Sequence, residues 1–196
     1  VPTSEVNLPQ RARMVLPPEE HTQRHRDYMA PVVNVERPQR DNARVVINGS
    51  FCEQPPLSLI KSVEMAGCYV VDDDWMLVSR WLLDDVPDDG KPLEELSKAF
   101  LHHSASTAAK YDERREDKGQ YLLNQVKTRG AEGVVFAAPS FCDPALLERP
   151  MLQDVLAKHG VPYTAFKYAE NTGQMAPIRE QAGTFADSIK LWSAEA

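Results

Sequence analysis

The stretch that decides the fold runs from residue 44 to residue 74 and reads RVVINGSFCEQPPLSLIKSVEMAGCYVVDDD. It opens with a short β-branched run that ends at Gly49, which is typical of a buried parallel strand. Pro55 and Pro56 then start a segment whose apolar residues recur at helical spacing, and Gly67 closes it. A second β-branched run follows directly. The order strand, helix, strand predicts two parallel strands joined by a helix, the repeating unit of an α/β fold.

The remainder of the chain continues this alternation. Two more apolar runs predict strands over residues 133–138 and 163–166, and helical spacing predicts helices over 75–83, 92–109, 113–128, 144–159 and 178–192. Asp143 is the expected N-cap of the helix over 144–159, and Pro150 is expected to break or kink that helix. We therefore predict an open parallel sheet with helices on both faces, a flavodoxin-like or Rossmann-like three-layer α/β domain over residues 44–196.

Residues 1–43 differ from this pattern. They hold six of the fifteen prolines and few periodic apolar positions. We expect a Pro-rich arm or linker that lies on a neighbour, with at most a short helix over 19–29. Because position 1 is Val and not Met, we expect either a processed start or a part of a longer chain.

Composition narrows the class of protein. The 22 Lys and Arg residues against 29 Asp and Glu give a net charge of −7, and no basic stripe is present, which argues against nucleic-acid binding. Apolar runs are too short to span a membrane, and no signal peptide opens the chain. Neither a GxxxxGK[ST] phosphate loop nor a GxGxxG motif occurs. We expect a cytoplasmic protein without a membrane or nucleic-acid partner.

Two cysteines lie where a ligand site is expected, beyond the carboxyl ends of parallel strands. Ser-Phe-Cys followed by an acid occurs at residues 50–53, after the first strand, and again at 140–143, after the third. Backbone N–H groups and the helix dipole at such turns favour a thiolate, which ligates metal or acts as a nucleophile. The alternative for Cys52 and Cys142 is a small buried hydrophobe. Cys68 opens a strand inside an apolar run and is expected in the core.

Other candidates stay open or are disfavoured. No histidine falls at a predicted strand end, which argues against a Cys–His hydrolase, and no second ligand at short spacing supports tetrahedral zinc. The aspartates at 72–74 could bind Mg²⁺, or they cap the next helix and solvate the turn. The segment 169–174, with Arg179 in the following helix, could hold a carbonyl or phosphate of a ligand, or it is an ordinary loop and cap.

Four motifs in this order and spacing resemble the benzoyl-CoA reductase / 2-hydroxyacyl-CoA dehydratase family. They are FCEQPP at 51–56, DDD at 72–74, FCDP at 141–144 and YAENTGQ at 168–174. The resemblance extends from about residue 44 to residue 192 and is strongest to the cluster-carrying C-type subunits of ATP-dependent benzoyl-CoA reductases.

The resemblance implies a [4Fe-4S] cluster held by three cysteines, of which Cys142 is the third. The other two have no counterpart here, so they are expected upstream, with this chain as the carboxyl-terminal, cluster-binding portion of a longer subunit. Cys52 lies outside the family's ligand segments, and a metal role for it has no counterpart there.

The resemblance also implies an activity and its partners. The subunit would pass low-potential electrons to the aromatic ring of benzoyl-CoA, giving a cyclohexadiene carboxyl-CoA in anaerobic aromatic degradation. Glu170, Gln174 and Arg179 are the candidates for substrate contact. Partners would be a paralogous cluster-bearing subunit, subunits that hydrolyse ATP, and ferredoxin as electron donor. Alone, this chain is expected to be inactive and to hold no stable cluster. The alternatives are a 2-hydroxyacyl-CoA dehydratase subunit and a non-catalytic α/β scaffold subunit.

Overall fold

The structure, a computed structural model, describes residues 1–49, 54–75, 85–102, 118–169 and 175–193. These residues form four strands and seven helices. The strands are β1 (Ala43–Asn48), β2 (Cys68–Asp73), β3 (Gly133–Pro139) and β4 (Tyr163–Tyr168). The helices are α1 (Thr3–Ala12), α2 (Pro18–Val32), α3 (Leu57–Met65), α4 (Pro92–His102), α5 (Lys118–Arg129), α6 (Asp143–Lys158) and α7 (Met175–Ser193).

The strands form one parallel sheet in the order β2-β1-β3-β4. This confirms the predicted open parallel α/β sheet. The chain passes from β1 to β2 on one side and then returns to β3 on the other side of β1. The strand order therefore switches direction between β1 and β3, and ligand crevices of such sheets lie at this point, beyond the carboxyl ends of the strands.

A hydrophobic core lies on each face of the sheet. On one face, Leu59, Ile60 and Val63 of α3 pack with α7 against β1, β3 and β4. On the other face, apolar residues of α5 and α6 pack against Val46 and Phe136. Because β3 is buried along its whole length, its sequence is continuously apolar and does not alternate.

The predicted N-cap of α6 is wrong, and so is a break at Pro150, while a kink there stays a prediction. Cys142, not Asp143, is the N-cap, because its φ of −86° and ψ of 79° lie outside the helical region while Asp143 is already helical. The helix also runs through Pro150 without ending. Buried Leu152 and Leu156, which follow the proline, hold the second half of α6 against the sheet, and this packing offsets the lost backbone hydrogen bond.

Residues 1–43 contain two helices, α1 and α2, and α1 contacts α3 and β2. The expectation of at most one short helix over 19–29 is therefore wrong. Glu64 of α3 accepts hydrogen bonds from the backbone N and the Oγ of Ser4, at 3.0 and 2.6 Å. The division into an arm over 1–43 and a domain over 44–196 stays a prediction.

Some predicted segments lie outside the described residues. These are the helix over 75–83 beyond its first residue, residues 103–109 of the helix begun by α4, and residues 113–117 of the helix continued by α5. Within the described ranges, no helix is long and apolar enough to cross a membrane.

Candidate functional site

The carboxyl ends of β1 and β3 approach each other closely at the switch point. Gly49, just after β1, has a φ of +120°, and a Cβ placed on it would lie 3.1 Å from the carbonyl oxygen of Ala137 in β3. Both the backbone conformation and the space therefore require a glycine. The sequence after Gly49 leads into residues 50–53, so the predicted Cys52 lies outside the described residues.

The turn after β3 is fixed by hydrogen bonds to β4. Ser140 donates from its backbone N and from its Oγ to the carbonyl oxygen of Tyr168, at 2.8 and 3.0 Å. The backbone N of Cys142 donates to the carbonyl oxygen of Pro139 at 3.0 Å. These bonds set the direction in which the chain enters α6.

Cys142 therefore lies at the amino-terminal end of a 16-residue helix, next to the switch point. Its side chain is 1% exposed and packs with Ala138 and Ala145, while the neighbouring Phe141 is 94% exposed. The end of a helix after a parallel strand is the position that the sequence indicated for a metal-ligating or nucleophilic sulfur. The small apolar neighbours are those of a buried structural cysteine. The position and the neighbours of Cys142 thus each match one of the two interpretations from the sequence.

Cys68 occupies the opposite end of the sheet, at the first residue of β2. It is 1% exposed, and burial raises the pKa of its thiol to about 11. It is therefore a neutral core residue, as expected, and it cannot share a metal with Cys142 because the two lie at opposite ends of their strands.

The three aspartates at the carboxyl end of β2 have separate partners. Asp72 accepts a hydrogen bond from the Nε of Arg129 at 2.7 Å. Asp74 is buried and accepts from Asn48 Nδ2 at 2.8 Å and from the backbone N of Gly49 at 3.0 Å. In the part of the chain that the structure describes, no group of three or more His, Cys, Asp or Glu side chains could hold a metal ion. The contacts favour tethering of strand ends over Mg²⁺ binding.

Asp73 has an unusual environment. Burial, together with the charges of Asp74 and Asp72, raises the pKa of its carboxyl from 3.8 to about 7. The hydrogen bond from the backbone N of Trp75 offsets part of this rise. Sequence reasoning missed both this perturbed acid and the bond between Asp74 and Asn48. Three adjacent acids at a strand end were the available signal, since like charges so close rarely all ionise freely.

The predicted substrate contacts are described only in part. Glu170 and Gln174 lie outside the described residues. Arg179 is exposed near the amino-terminal end of α7, the helix that follows β4. It therefore lies at the same edge of the sheet as Cys142, because both helices start where their strands, β4 and β3, end.

Comparison with known proteins places the chain in a family. A family model described as 2-hydroxyglutaryl-CoA dehydratase, D-component, matches residues 1–189. The chain is 67% identical over 193 residues to the C subunit of the benzoyl-CoA reductase of Thauera aromatica, an alignment that covers 98% of this chain and 50% of that protein.

Two dehydratase subunits are more distant relatives. Identity is 26% over 170 residues to the (R)-phenyllactyl-CoA dehydratase beta subunit of Clostridium sporogenes, covering 87% of this chain and 44% of that protein. It is also 26% over 152 residues to the beta subunit of the (R)-2-hydroxyglutaryl-CoA dehydratase of Acidaminococcus fermentans, covering 76% and 39%. The chain spans about half the length, or less, of these curated relatives. With a family model matched over nearly its whole length, the chain belongs to the benzoyl-CoA reductase / 2-hydroxyacyl-CoA dehydratase family.

Proposed function

We propose that this chain is part of an iron–sulfur subunit of an ATP-dependent benzoyl-CoA reductase. The observation that carries the proposal is the 67% identity over 193 residues to the C subunit of the benzoyl-CoA reductase of Thauera aromatica. Two of the motifs that suggested the family, residues 72–74 and 141–144, lie at the carboxyl ends of β2 and β3, at the edge where open α/β sheets bind their ligands.

Cys142 would be one ligand of a [4Fe-4S] cluster. It lies at the amino-terminal end of α6, at the edge of the sheet where such folds bind ligands, and cysteine sulfurs are the usual ligands of such clusters. Among the described residues, Cys142 is the one cysteine that could be a ligand at this edge, because the other described cysteine, Cys68, lies at the far end of the sheet. The remaining ligands would come from residues outside these 196, and a metal role for Cys52 stays a prediction.

The substrate would lie at the same edge. Glu170, Gln174 and Arg179 are proposed to contact benzoyl-CoA, and the exposed guanidinium of Arg179 near the start of α7 suits an anionic or carbonyl group. When bound, the cluster supplies low-potential electrons. Two electrons and two protons added to the ring of benzoyl-CoA give a cyclohexadiene carboxyl-CoA.

Other subunits would complete the enzyme. We propose a paralogous cluster-bearing subunit, ATP-hydrolysing subunits that lower the potential of the electrons, and ferredoxin as the donor, all in the cytoplasm. ATP would be bound by those partners, since the chain has no phosphate-loop motif. The 196-residue chain alone would neither keep a stable cluster nor reduce benzoyl-CoA.

The test replaces one of two equally buried cysteines in the complete enzyme complex. Cys142→Ala should lose most of the iron and the visible absorption of this subunit, and at least about a hundredfold in turnover of benzoyl-CoA with ATP. Cys68→Ala is the matched control, because its thiol is also 1% exposed but lies at the opposite end of the sheet. It should keep both iron and turnover.

Two results would overturn the ligand assignment. Iron and turnover that survive Cys142→Ala would favour the non-catalytic scaffold. Equal losses in both variants would trace the effect to lost core packing.

A second candidate function is dehydration of a 2-hydroxyacyl-CoA. The description of the matching family model and the two dehydratase relatives favour it. The complex should be offered benzoyl-CoA and a 2-hydroxyacyl-CoA in parallel. Ring reduction that consumes electrons and ATP in proportion to product supports the reductase, whereas loss of water without net reduction supports the dehydratase.

A further inference from the structure

Helix α1 brings a cation to the carboxyl edge of the sheet. Arg11 lies in the last turn of α1, and its Nη2 donates a hydrogen bond to the carbonyl oxygen of Pro55, in the segment that leads from β1 to α3. Its charge also interacts with the phenol of Tyr168, the last residue of β4. Because Pro55 follows β1 and Tyr168 ends β4, Arg11 lies at the edge where such sheets bind their ligands.

Two hydrogen bonds hold the guanidinium of Arg11 in place. Besides the bond from Nη2 to Pro55, its Nε donates to Oδ1 of Asn7, one turn earlier in α1, at 2.6 Å. The third nitrogen, Nη1, has no hydrogen-bond partner in the part of the chain that the structure describes, and it is not buried. Because the group is planar, fixing two nitrogens also fixes the direction of the third. Nη1 is therefore a donor that loses little freedom when it binds a ligand.

The charge of Arg11 has no counter-charge among the described residues. Both of its acceptors are neutral oxygens, and no Asp or Glu there forms an ion pair with it. Burial lowers the pKa of the guanidinium, and the phenol of Tyr168 offsets part of this. The group nevertheless stays protonated at the pH at which proteins work. A cation that is partly removed from water is costly unless an anion pairs with it, so an anionic ligand would supply the partner that this site lacks.

Arg11 and Cys142 approach the edge from different faces of the sheet. Helix α1 packs beside α3, which covers one face, whereas Cys142 starts α6, which covers the other. A ligand that reaches both must be long, with its anionic group remote from the end that meets Cys142. A coenzyme A ester has this form, because the pantetheine arm separates its phosphates from its thioester.

We propose that Arg11 is a further binding residue of this site and that its Nη1 donates to a phosphate oxygen of the coenzyme A ester. The ligand itself rests on the proposed function; the inference adds the residue that anchors its remote end. Phosphate is an anion that guanidinium groups bind with strong, charge-assisted hydrogen bonds. Binding energy from such a remote group holds the reacting end of a substrate in position.

The test measures dissociation constants of the complete enzyme complex, without ATP or reductant, so that no turnover occurs. The two ligands are benzoyl-CoA and S-benzoylpantetheine, which has the same thioester but no phosphate. Arg11→Gln should weaken binding of benzoyl-CoA about tenfold or more, because a charge-assisted hydrogen bond is lost. It should leave binding of S-benzoylpantetheine unchanged.

Two further variants separate the charge from the fold. Arg11→Lys keeps the charge but not the planar guanidinium, and it should regain part of the affinity for benzoyl-CoA. Arg13→Gln is the matched control, because it removes the same charge from an exposed residue at the C-cap of α1. It should bind both ligands as the unaltered complex does.

Three results would each overturn the assignment of Arg11. They are unchanged binding of benzoyl-CoA by Arg11→Gln, equal weakening of both ligands, which would trace the loss to a displaced α1, and no recovery in Arg11→Lys. Benzoyl-CoA that binds but is not reduced would count against the proposed function and leave this test intact. No binding of benzoyl-CoA by the unaltered complex would overturn both.

Discussion

Gly49 is the residue on which the approach of β1 to β3 depends. Replacing it by Ala should destabilise the protein by about 2–4 kcal/mol, because the new Cβ meets the backbone of Ala137 and the φ of +120° is strained for any L side chain. Urea unfolding measures the loss. Gly160→Ala is the control: its φ is +68°, but nothing lies within 4 Å of a Cβ there, so it should lose only about 1 kcal/mol. Equal losses at the two positions would contradict a close approach at Gly49.

Asp73 predicts a pH dependence of stability. Its pKa in the folded protein is about 7, raised by burial from 3.8, so between these values the folded state keeps a proton that the unfolded state has released. Its contribution to stability is therefore fully present below about pH 4 and falls as the pH rises to about 7, by at most about 1.4 kcal/mol per pH unit.

Asp73→Asn removes this titration. The difference in the free energy of unfolding between the unaltered protein and Asp73→Asn, measured in urea from pH 4 to 8, should change steadily up to about pH 7 and then level off. A constant difference over this range would mean that the carboxyl is not held protonated by burial.

At the scale of elements, α6 carries a proline that the helix does not need. Pro150 is exposed in the helix interior, where it removes the hydrogen bond to the carbonyl oxygen of Leu146. Pro150→Ala should therefore stabilise the protein by about 1–3 kcal/mol in urea unfolding. Pro144→Ala is the control, since Pro144 lies in the first turn, where its missing N–H has no partner to lose. A gain at Pro144 as large as that at Pro150 would refute the argument.

The elements show which parts of the fold a sequence can predict. All four strands were predictable, because β1 and β3 are buried on both faces and so are apolar almost without interruption. Helix α1 was not predicted at all, since prolines at its N-cap and inside it mask its helical pattern. The start of α6 was misplaced by one residue, because a cap depends on backbone angles and not on residue type alone.

The candidate site shows the corresponding limit. The place of Cys142 after β3 followed from the alternation of strands and helices. The packing of Ala138 and Ala145 against Cys142 could not be predicted, and neither could the hydrogen bond between Asp74 and Asn48. Those partners meet only once the sheet has formed. Asn48 and Asp74 are 26 residues apart, at the ends of neighbouring strands whose register no short motif encodes.

At the scale of the whole molecule, residues 1–43 contact the rest of the domain through α1. Helix α1 lies against α3 and β2. The two hydrogen bonds from buried Ser4 to Glu64 tie α1 to α3. If residues 1–43 are an arm, α1 can detach while the sheet stays closed. If they are an integral part of the domain, α1 and the sheet open together.

Glu64→Ala tests this coupling. It leaves the backbone N and the Oγ of buried Ser4 without an acceptor, which costs about 1–3 kcal/mol and should speed hydrogen exchange of the α1 amides by about tenfold or more. For an arm, the amides of β3 should exchange as before, because the sheet stays closed while α1 detaches. Glu20→Ala, which breaks only the exposed pair with Arg24 in α2, should leave both regions unchanged. Equal acceleration in α1 and β3 after Glu64→Ala would instead join residues 1–43 to the domain as one cooperative unit, since a single opening would then expose both.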